Sequence, residues 1–213
     1  MKLHWSPRSP FVRKVMIAAH ELELVDRLTC VRTVVATTKP HLELMKENPL
    51  SKLPTLVLDD GTIIYDSPVV IDYLDTLQGA PKLHPADTKA RIIALRRQAL
   101  GDGMLDFSLL WRNELDRPKD KQSEVHLSAF AAKRVASLAL LEKEADDLAA
   151  TPFNVGHIGV GVALSYFDFR FADLPWRKDH PRLAAWHATF TARPSVRATE
   201  PVDDTAAPLQ ATR

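Results

Sequence analysis

The chain opens with short apolar runs alternating with helical spacing. Leu3 to Trp5 predicts a short strand, and Pro10 to Leu22 follows with Val12, Val15, Met16 and Ala19 separated by three and four residues. That spacing puts the four side chains on one face of a helix. Leu28 to Val35 is rich in β-branched residues and reads as a second strand, and His41 to Glu47 as a weak helix. Thr55 to Leu58 and Thr62 to Tyr65 flank the turn Asp59-Asp60-Gly61. An Asp-Gly pair between two such runs is a hairpin signal, so these strands should be antiparallel. Ser67-Pro68 then opens a helix with Val69, Val70, Tyr73 and Leu74 on its apolar side. Strand, helix, strand, helix, strand, strand, helix is the style of an α/β unit.

Residues 79–86, from Gly79-Ala80-Pro81 to Pro85-Ala86, sustain no regular element and form a candidate linker. Beyond them every pattern is helical: Asp87 to about Asn113, Lys121 to Leu148, Asn154 to Phe171 and Asp179 to Ala192, with a polar break at Asp116-Arg117-Pro118-Lys119. The expected organisation is an α/β domain over 1–78, the linker 79–86, an all-helical domain over 87–200 and a loose tail over 201–213.

Composition narrows the function classes. A hydrophobic fraction of 46% and a charged fraction of 26% over 213 residues describe a globular chain with enough interior for a core. The formal net charge of +1 offers no electrostatic reason to expect nucleic acid or a membrane surface as partner. The longest run without Asp, Glu, Lys or Arg, Leu148 to Phe167, holds Pro152, Asn154, His157 and three glycines, poor material for a bilayer span. Cys30 is the single cysteine, which excludes an intramolecular disulfide and a cysteine-based zinc cluster; its strand position predicts a buried, inert thiol. The opening Met1 to Trp5 meets Ser6-Pro7 before a signal-peptide core can develop, so a cytoplasmic setting is expected. The eight histidines form no His-Glu-x-x-His motif or tight His/Asp cluster, and no metal is expected.

Three short motifs carry the candidate chemistry. Ser9-Pro10 and Ser67-Pro68 each follow a predicted strand and open a predicted helix, with Ser suited to the N-cap and Pro to the first turn. The free N–H groups and positive dipole end of each helix make two potential anion sites, although each serine also reads simply as a cap. Lys52-Leu53-Pro54-Thr55 lies directly before the third strand. A cis-Pro there would leave the Leu53 backbone unpaired at a sheet edge, available to an extended peptide-like ligand; an ordinary trans-Pro is the alternative.

The run Ser9-Pro10-Phe11-Val12-Arg13-Lys14-Val15, the run Asn48-Pro49-Leu50-Ser51-Lys52-Leu53-Pro54-Thr55-Leu56 and the pair Asp66-Ser67, ahead of an all-helical second half, resemble the cytosolic glutathione transferase family. The similarity continues through Gly156-His157-Ile158 to Tyr166-Phe167-Asp168-Phe169-Arg170 and into Ala192-Arg193-Pro194-Ser195, as in bacterial members, so it spans Met1 to about Pro201. It implies an α/β thioredoxin-like N-terminal domain that binds glutathione as co-substrate, and an all-α C-terminal domain that lines an apolar pocket for the second substrate. It further implies that Asp66 and Ser67 hold the γ-glutamyl end, that Leu53 beside cis-Pro54 pairs with the cysteinyl unit, that Lys52 lies near the glycyl carboxylate and that Ser9 faces the sulfur. Phe11, Phe107 and Trp111 are the implied second-substrate residues, although Met104, Phe107, Leu110 and Trp111 at helical spacing also read as core or dimer interface. A cytoplasmic homodimer acting in detoxification completes the implied picture.

In that picture Ser9 is a hydrogen-bond donor, not a nucleophile. A free thiol titrates near about 8.5, and a hydroxyl donor plus a helix N-terminus favours the thiolate by about 1.4 kcal/mol for each unit of lowering. Ser in place of the Cys of other branches points to conjugation or peroxide reduction; Ser6 is a second candidate, but the family pattern matches at Ser9. A non-catalytic glutathione-fold binding or stress protein, or a glutathione-dependent peroxidase or reductase, are the rival functions. Where the family shows a Ser/Thr and Asp capping box, this chain has Asn154 and His157, a poorer reciprocal pair. Gly156, Gly159 and Gly161 match no nucleotide-binding spacing and read as small residues at a helix contact. Arg91, Arg96, Arg97 and Arg112 read as solvated or interface charges.

Overall fold

A computed structural model describes residues 1–77, 79 and 82–204. They divide into two compact units, Met1–Leu77 joined by the segment from Ala198, and Gln78–Arg197. Gln78 at the end of the expected first domain, Ala80 and Pro81 of the expected linker, and residues 205–213 of the expected tail lie outside the described residues.

The first unit is a thioredoxin-like sheet and helix layer. Strand β1 (Lys2–Trp5) leads to helix α1 (Pro10–Glu21), strand β2 (Thr29–Arg32), the short helix α2 (Leu42–Met45), strands β3 (Thr55–Val57) and β4 (Ile63–Ile64), and helix α3 (Ser67–Thr76). This is the predicted order. The sheet order is β2-β1-β3-β4, with β1 parallel to β2 and antiparallel to β3, and β3 antiparallel to β4. The hairpin forms where Asp-Gly predicted it. Gly61 takes φ +86, a conformation that a side chain would strain, and Asp60 Oδ1 accepts from Thr62 N at 2.9 Å.

Leu3 and Leu56, paired across β1 and β3, are fully buried, and α1 lays Val12, Val15, Ala18 and Ala19 on the core side. Cys30 departs from its expected burial. It sits exposed on β2, the edge strand, paired with Leu3 of β1 on one side only, yet partial burial pushes the thiol above its ordinary value.

The second unit is all helical: α4 (Thr88–Leu115), α5 (Glu124–Ala150), α6 (Val155–Arg170), α7 (Pro181–Thr191) and the one-turn α8 (Pro194–Arg197), the last not foreseen. Asp87, Ser123 and Asn154 cap α4, α5 and α6 through their side chains. The buried α6 packs chiefly on α4, and glycine is what lets them approach. A Cβ on Gly159 would lie 2.9 Å from Gln98 Cα, and one on Gly156 2.8 Å from Ala94 O. Gly161 meets the Phe190 ring of α7 instead. The close-packing expectation for these glycines therefore describes their surroundings.

The structure corrects one polar reading and completes another. Arg97, read as a solvated or interface charge, is 2% exposed and clamps α5 within its own unit, with Nε 3.0 Å from Glu144 Oε2 and Nη2 on Asp147. The poor pair Asn154 and His157 closes a complete capping box: Asn154 N donates to His157 Nδ1 at 3.2 Å, and Gly156 N to Asn154 Oδ1 at 2.9 Å. His157 Nε2 faces Leu148 O at 2.9 Å, so the ring serves as a neutral Nε2–H tautomer. Burial holds its ionisation below the ordinary range. Arg97 and Arg193 act in the same direction, against the Leu148 bond and Asp147.

Candidate active site

The sheet topology brings the sequence motifs to one place. Because β1 and β4 are both antiparallel to β3, they run the same way, and β2 runs with them. The loops leaving β1, β2 and β4 and the loop entering β3 therefore share one end of the sheet. Ser9 follows β1, Leu53-Pro54 precedes β3, and Asp66-Ser67 follows β4. That end of a sheet, with helix N-termini facing it, is where α/β folds bind ligands.

At the first motif, Ser9 is the N-cap of α1 in extended conformation, and Pro10 occupies the first turn as predicted. Ser9 Oγ accepts from Val12 N at 3.3 Å, which satisfies one orphan amide of the helix. Accepting that bond leaves the hydroxyl proton to donate. Ser9 is half-buried, Ser6 is nearly buried, and the turn between them closes through Ser9 N donating to Ser6 O at 3.2 Å.

At the second motif the Leu53–Pro54 peptide is cis. Leu53 lies just before Thr55, the first residue of β3 paired with β1, and its side chain packs with Val12 and Leu44, beside Trp5, Met16 and Val35. Lys52 is exposed. The loop is shaped by Asn48, which sequence reasoning quoted without a role. It is 1% exposed, and its Nδ2 donates to Lys52 O at 3.2 Å and Thr55 Oγ1 at 2.9 Å while Oδ1 accepts from Leu50 N at 3.0 Å. Ser51 completes the turn at φ +51, and its hydroxyl accepts from His41 N at 2.9 Å.

The third motif is shifted by one residue from expectation. Asp66, not Ser67, is the N-cap of α3, because the first helical bond runs from Val70 N to Asp66 O; Ser67 and Pro68 lie inside the first turn. An exposed carboxylate at that end suits the helix dipole. Ser67 is 1% exposed, and its hydroxyl accepts from Lys14 Nζ at 3.2 Å. Lys14, fully buried on α1, is a residue sequence reasoning missed. It ties α1 to α3 behind the motifs, and its ammonium lies 5.8 Å from the centre of the Phe11 ring. Neighbouring Arg13 is also buried; burial lowers its guanidinium to about 10, with Glu200 acting the other way.

Of the predicted second-substrate residues, Phe11 is half-buried in the first unit. Phe107 and Trp111, in the second, are under a tenth exposed. Their rings join one aromatic cluster: Phe107 lies 6.3 Å from Phe167, and Trp111 lies 5.0 Å from Phe171 and 6.3 Å from Phe130. Among the described residues no group of three His, Cys, Asp or Glu side chains could hold a metal, and no helix is long and apolar enough to cross a membrane.

Residues 8–77 match the family model for the glutathione S-transferase N-terminal domain, and residues 124–189 that for the C-terminal domain. The GST-like protein YibF of Escherichia coli K12 is 31% identical over 94% of this chain and 98% of its own length. The chain belongs to the glutathione S-transferase family. A family member from Pseudomonas fluorescens Pf-5, solved with bound glutathione, superposes with a TM-score of 0.90 at 42% identity, covering 94% of this chain and 98% of that one. A second structure from that organism, at 41% identity, the same coverage and a TM-score of 0.86, holds S-(propanoic acid)-glutathione. In this family setting, the α/β first unit and helical second unit are the two family domains.

Proposed function

We propose that this chain is a glutathione transferase that binds glutathione at the sheet end carrying Ser9, Leu53 and Asp66, and activates its thiolate for attack on a small apolar electrophile. The convergence of those three motifs at one sheet end carries the reading, and bound glutathione in similar family structures supports it. The thiol proton passes to solvent, the Ser9 hydroxyl donates a hydrogen bond to the thiolate sulfur, and the α1 N-terminus adds a favourable field for negative charge. Leu53 offers its backbone to the cysteinyl unit, Asp66 and Ser67 receive the γ-glutamyl end, and Lys52 meets the glycyl carboxylate. The sulfur lone pair then forms the new S–C bond, and the leaving group departs with its electron pair. The protein contributes orientation and charge stabilisation, not a covalent intermediate. The family resemblance assigns Phe11 of the first unit, and Phe107 and Trp111 of the second, to the electrophile. The same resemblance extends the proposal to a Ser-Pro-Phe bacterial branch and a cytoplasmic homodimer acting in detoxification.

The test is an ultraviolet pH titration of the glutathione thiolate with excess protein, read against free glutathione. A downward shift that Ser9→Ala abolishes, with affinity kept and turnover lost, supports the reading. Unchanged turnover in Ser9→Ala refutes the role of Ser9. One observation favours a second reading: Ser9 Oγ already serves as the cap acceptor for Val12 N. A glutathione-binding protein that uses Ser9 only as a cap would bind without any shift.

A further inference from the structure

The end of the described chain does not hang loose. Residues 201–204 were expected to begin a free tail, yet Ala198 onward belongs to the first unit, and Val202 N donates to Pro7 O at 3.3 Å. Asp204 is the anchor. Its Oδ1 pairs by charge with Arg8 Nε at 2.9 Å without the alignment of a hydrogen bond, and its Oδ2 accepts from Arg32 Nε at 2.8 Å with Arg32 Nη2 at 2.6 Å. All three side chains are about four-fifths buried, with exposures of 21–22%. A carboxylate shared by two partly sheltered guanidinium groups is held more firmly than an exposed pair.

What the segment grips is specific. Pro7 and Arg8 are the two central residues of the turn whose ends, Ser6 and Ser9, bond to each other. Arg32, the last residue of β2, sits in register with Trp5, the last of β1, and its Nη1 donates to Thr33 O at 2.7 Å. Asp204 therefore closes a ring: from β1 through the turn to Arg8, across the carboxylate to Arg32, and back through the β2–β1 ladder. Glu200, four residues before Asp204, acts by charge on Arg13, whose amide donates to Ser9 O at 3.0 Å.

We propose that Asp204 is a positioning residue for Ser9, a strap from the chain's end that fixes the Ser6–Ser9 turn and so aims the Ser9 hydroxyl. The inference rests on the transferase reading for its catalytic consequence, but its geometric content stands apart from it. Among the described residues the Ser9 hydroxyl is held by its 3.3 Å bond from Val12 N, and the backbone of the turn that carries Ser9 sets where its oxygen sits. A misplacement of about 1 Å at a reacting group can cost up to about 100-fold in rate.

The experiment compares Asp204→Asn with the parent and with Asp204→Glu in the full chain. Amide hydrogen exchange is followed by NMR at Ser9 and Val12, and kcat and KM with a chlorodinitrobenzene electrophile. In Asp204→Asn, exchange at these two amides rises about tenfold while the sheet amides hold, and kcat falls about tenfold with KM for glutathione within about twofold. Asp204→Glu recovers part of both, and added salt weakens the parent toward Asp204→Asn. Unchanged exchange at Ser9 and Val12, a uniform rise across the unit, or faster exchange with unaltered kcat would each overturn the proposal. If the parent turns over no electrophile, the transferase reading fails on that result, and the exchange pattern alone still decides the strap.

Discussion

Gly101 on α4 faces the backbone of Gly159 on α6, and replacing it with alanine should force the two helices apart. A Cβ at 101 would sit 2.3 Å from the Gly159 carbonyl carbon, 2.4 Å from its oxygen and 2.8 Å from Val160 N. Carbon contacts prefer about 3.5–4.0 Å, so the seam must open by more than about 1 Å, and a gap of that order forfeits roughly a quarter to a half of each dispersion contact along it. Backbone atoms cannot rotate out of the way as a flexible side chain can. Overpacking typically costs about 1–3 kcal/mol, occasionally more, and this site belongs at or above the upper end. Alanine's better helix propensity returns about 1 kcal/mol, leaving Gly101→Ala destabilised by about 2 kcal/mol or more.

Gly103, two residues further on the same helix, has nothing within 4 Å of its would-be Cβ. There only propensity and unfolded-chain entropy change, and Gly103→Ala should gain about 0.5–1 kcal/mol. Urea unfolding followed by circular dichroism reads both free energies, and thermal midpoints should move by about 2–4 °C per kcal/mol for a chain of this size. The two variants should shift in opposite directions. Equal shifts of the same sign would mean that the α4–α6 approach is no constraint.

Other consequences follow from the same packing. Because burial keeps His157 neutral in the fold, its capping contribution is intact above about pH 6.5 and is lost as pH falls below that value through its lowered folded-state ionisation. His157→Gln, neutral throughout, should flatten the stability slope between about pH 7 and 5, and parallel slopes would count against the neutral tautomer. Asn154→Ala removes the cap acceptor for Gly156 N and should cost about 1 kcal/mol in urea unfolding. Glu144→Gln leaves buried Arg97 with Asp147 as its remaining carboxylate and should cost about 2 kcal/mol, less than the roughly 3–5 kcal/mol of a fully orphaned ion. Cys30 should react with a maleimide in the folded protein, more slowly at pH 7 than a free thiol because its thiolate fraction is reduced; complete protection would contradict its exposed edge position.

What could be read in advance was local. Alternation, three-four spacing, Asp-Gly and the Ser caps each act within a few residues, and the strand and helix order they predicted is the order found, the one-turn α8 apart. The exposure of Cys30 was misread because a strand's own sequence does not say whether it lies at an edge. The shift of the α3 cap from Ser67 to Asp66 turns on a single carbonyl, the one that accepts from Val70 N, and both residues are good caps by composition.

The charges misread or passed over share one cause. Arg97 finds Glu144 and Asp147 from 47 and 50 residues away, and Lys14 finds Ser67 across 53. Asp204 finds Arg32 across 172. A charged side chain looks solvated in sequence because the default for an unpaired charge is water, and its burial becomes affordable only once the fold delivers a remote partner. Apolar positions announce their burial through periodicity; charges announce it only through the partner. The sheet end follows the same rule. Its three motifs were visible because each shapes its own loop, whereas the residues that hold those loops in place, Lys14 behind α3 and Asp204 across the Ser9 turn, act through contacts that no local pattern encodes. Mutational scans of this site should therefore find their unanticipated sensitivities at such buried or shared charges, ahead of further positions within the motifs.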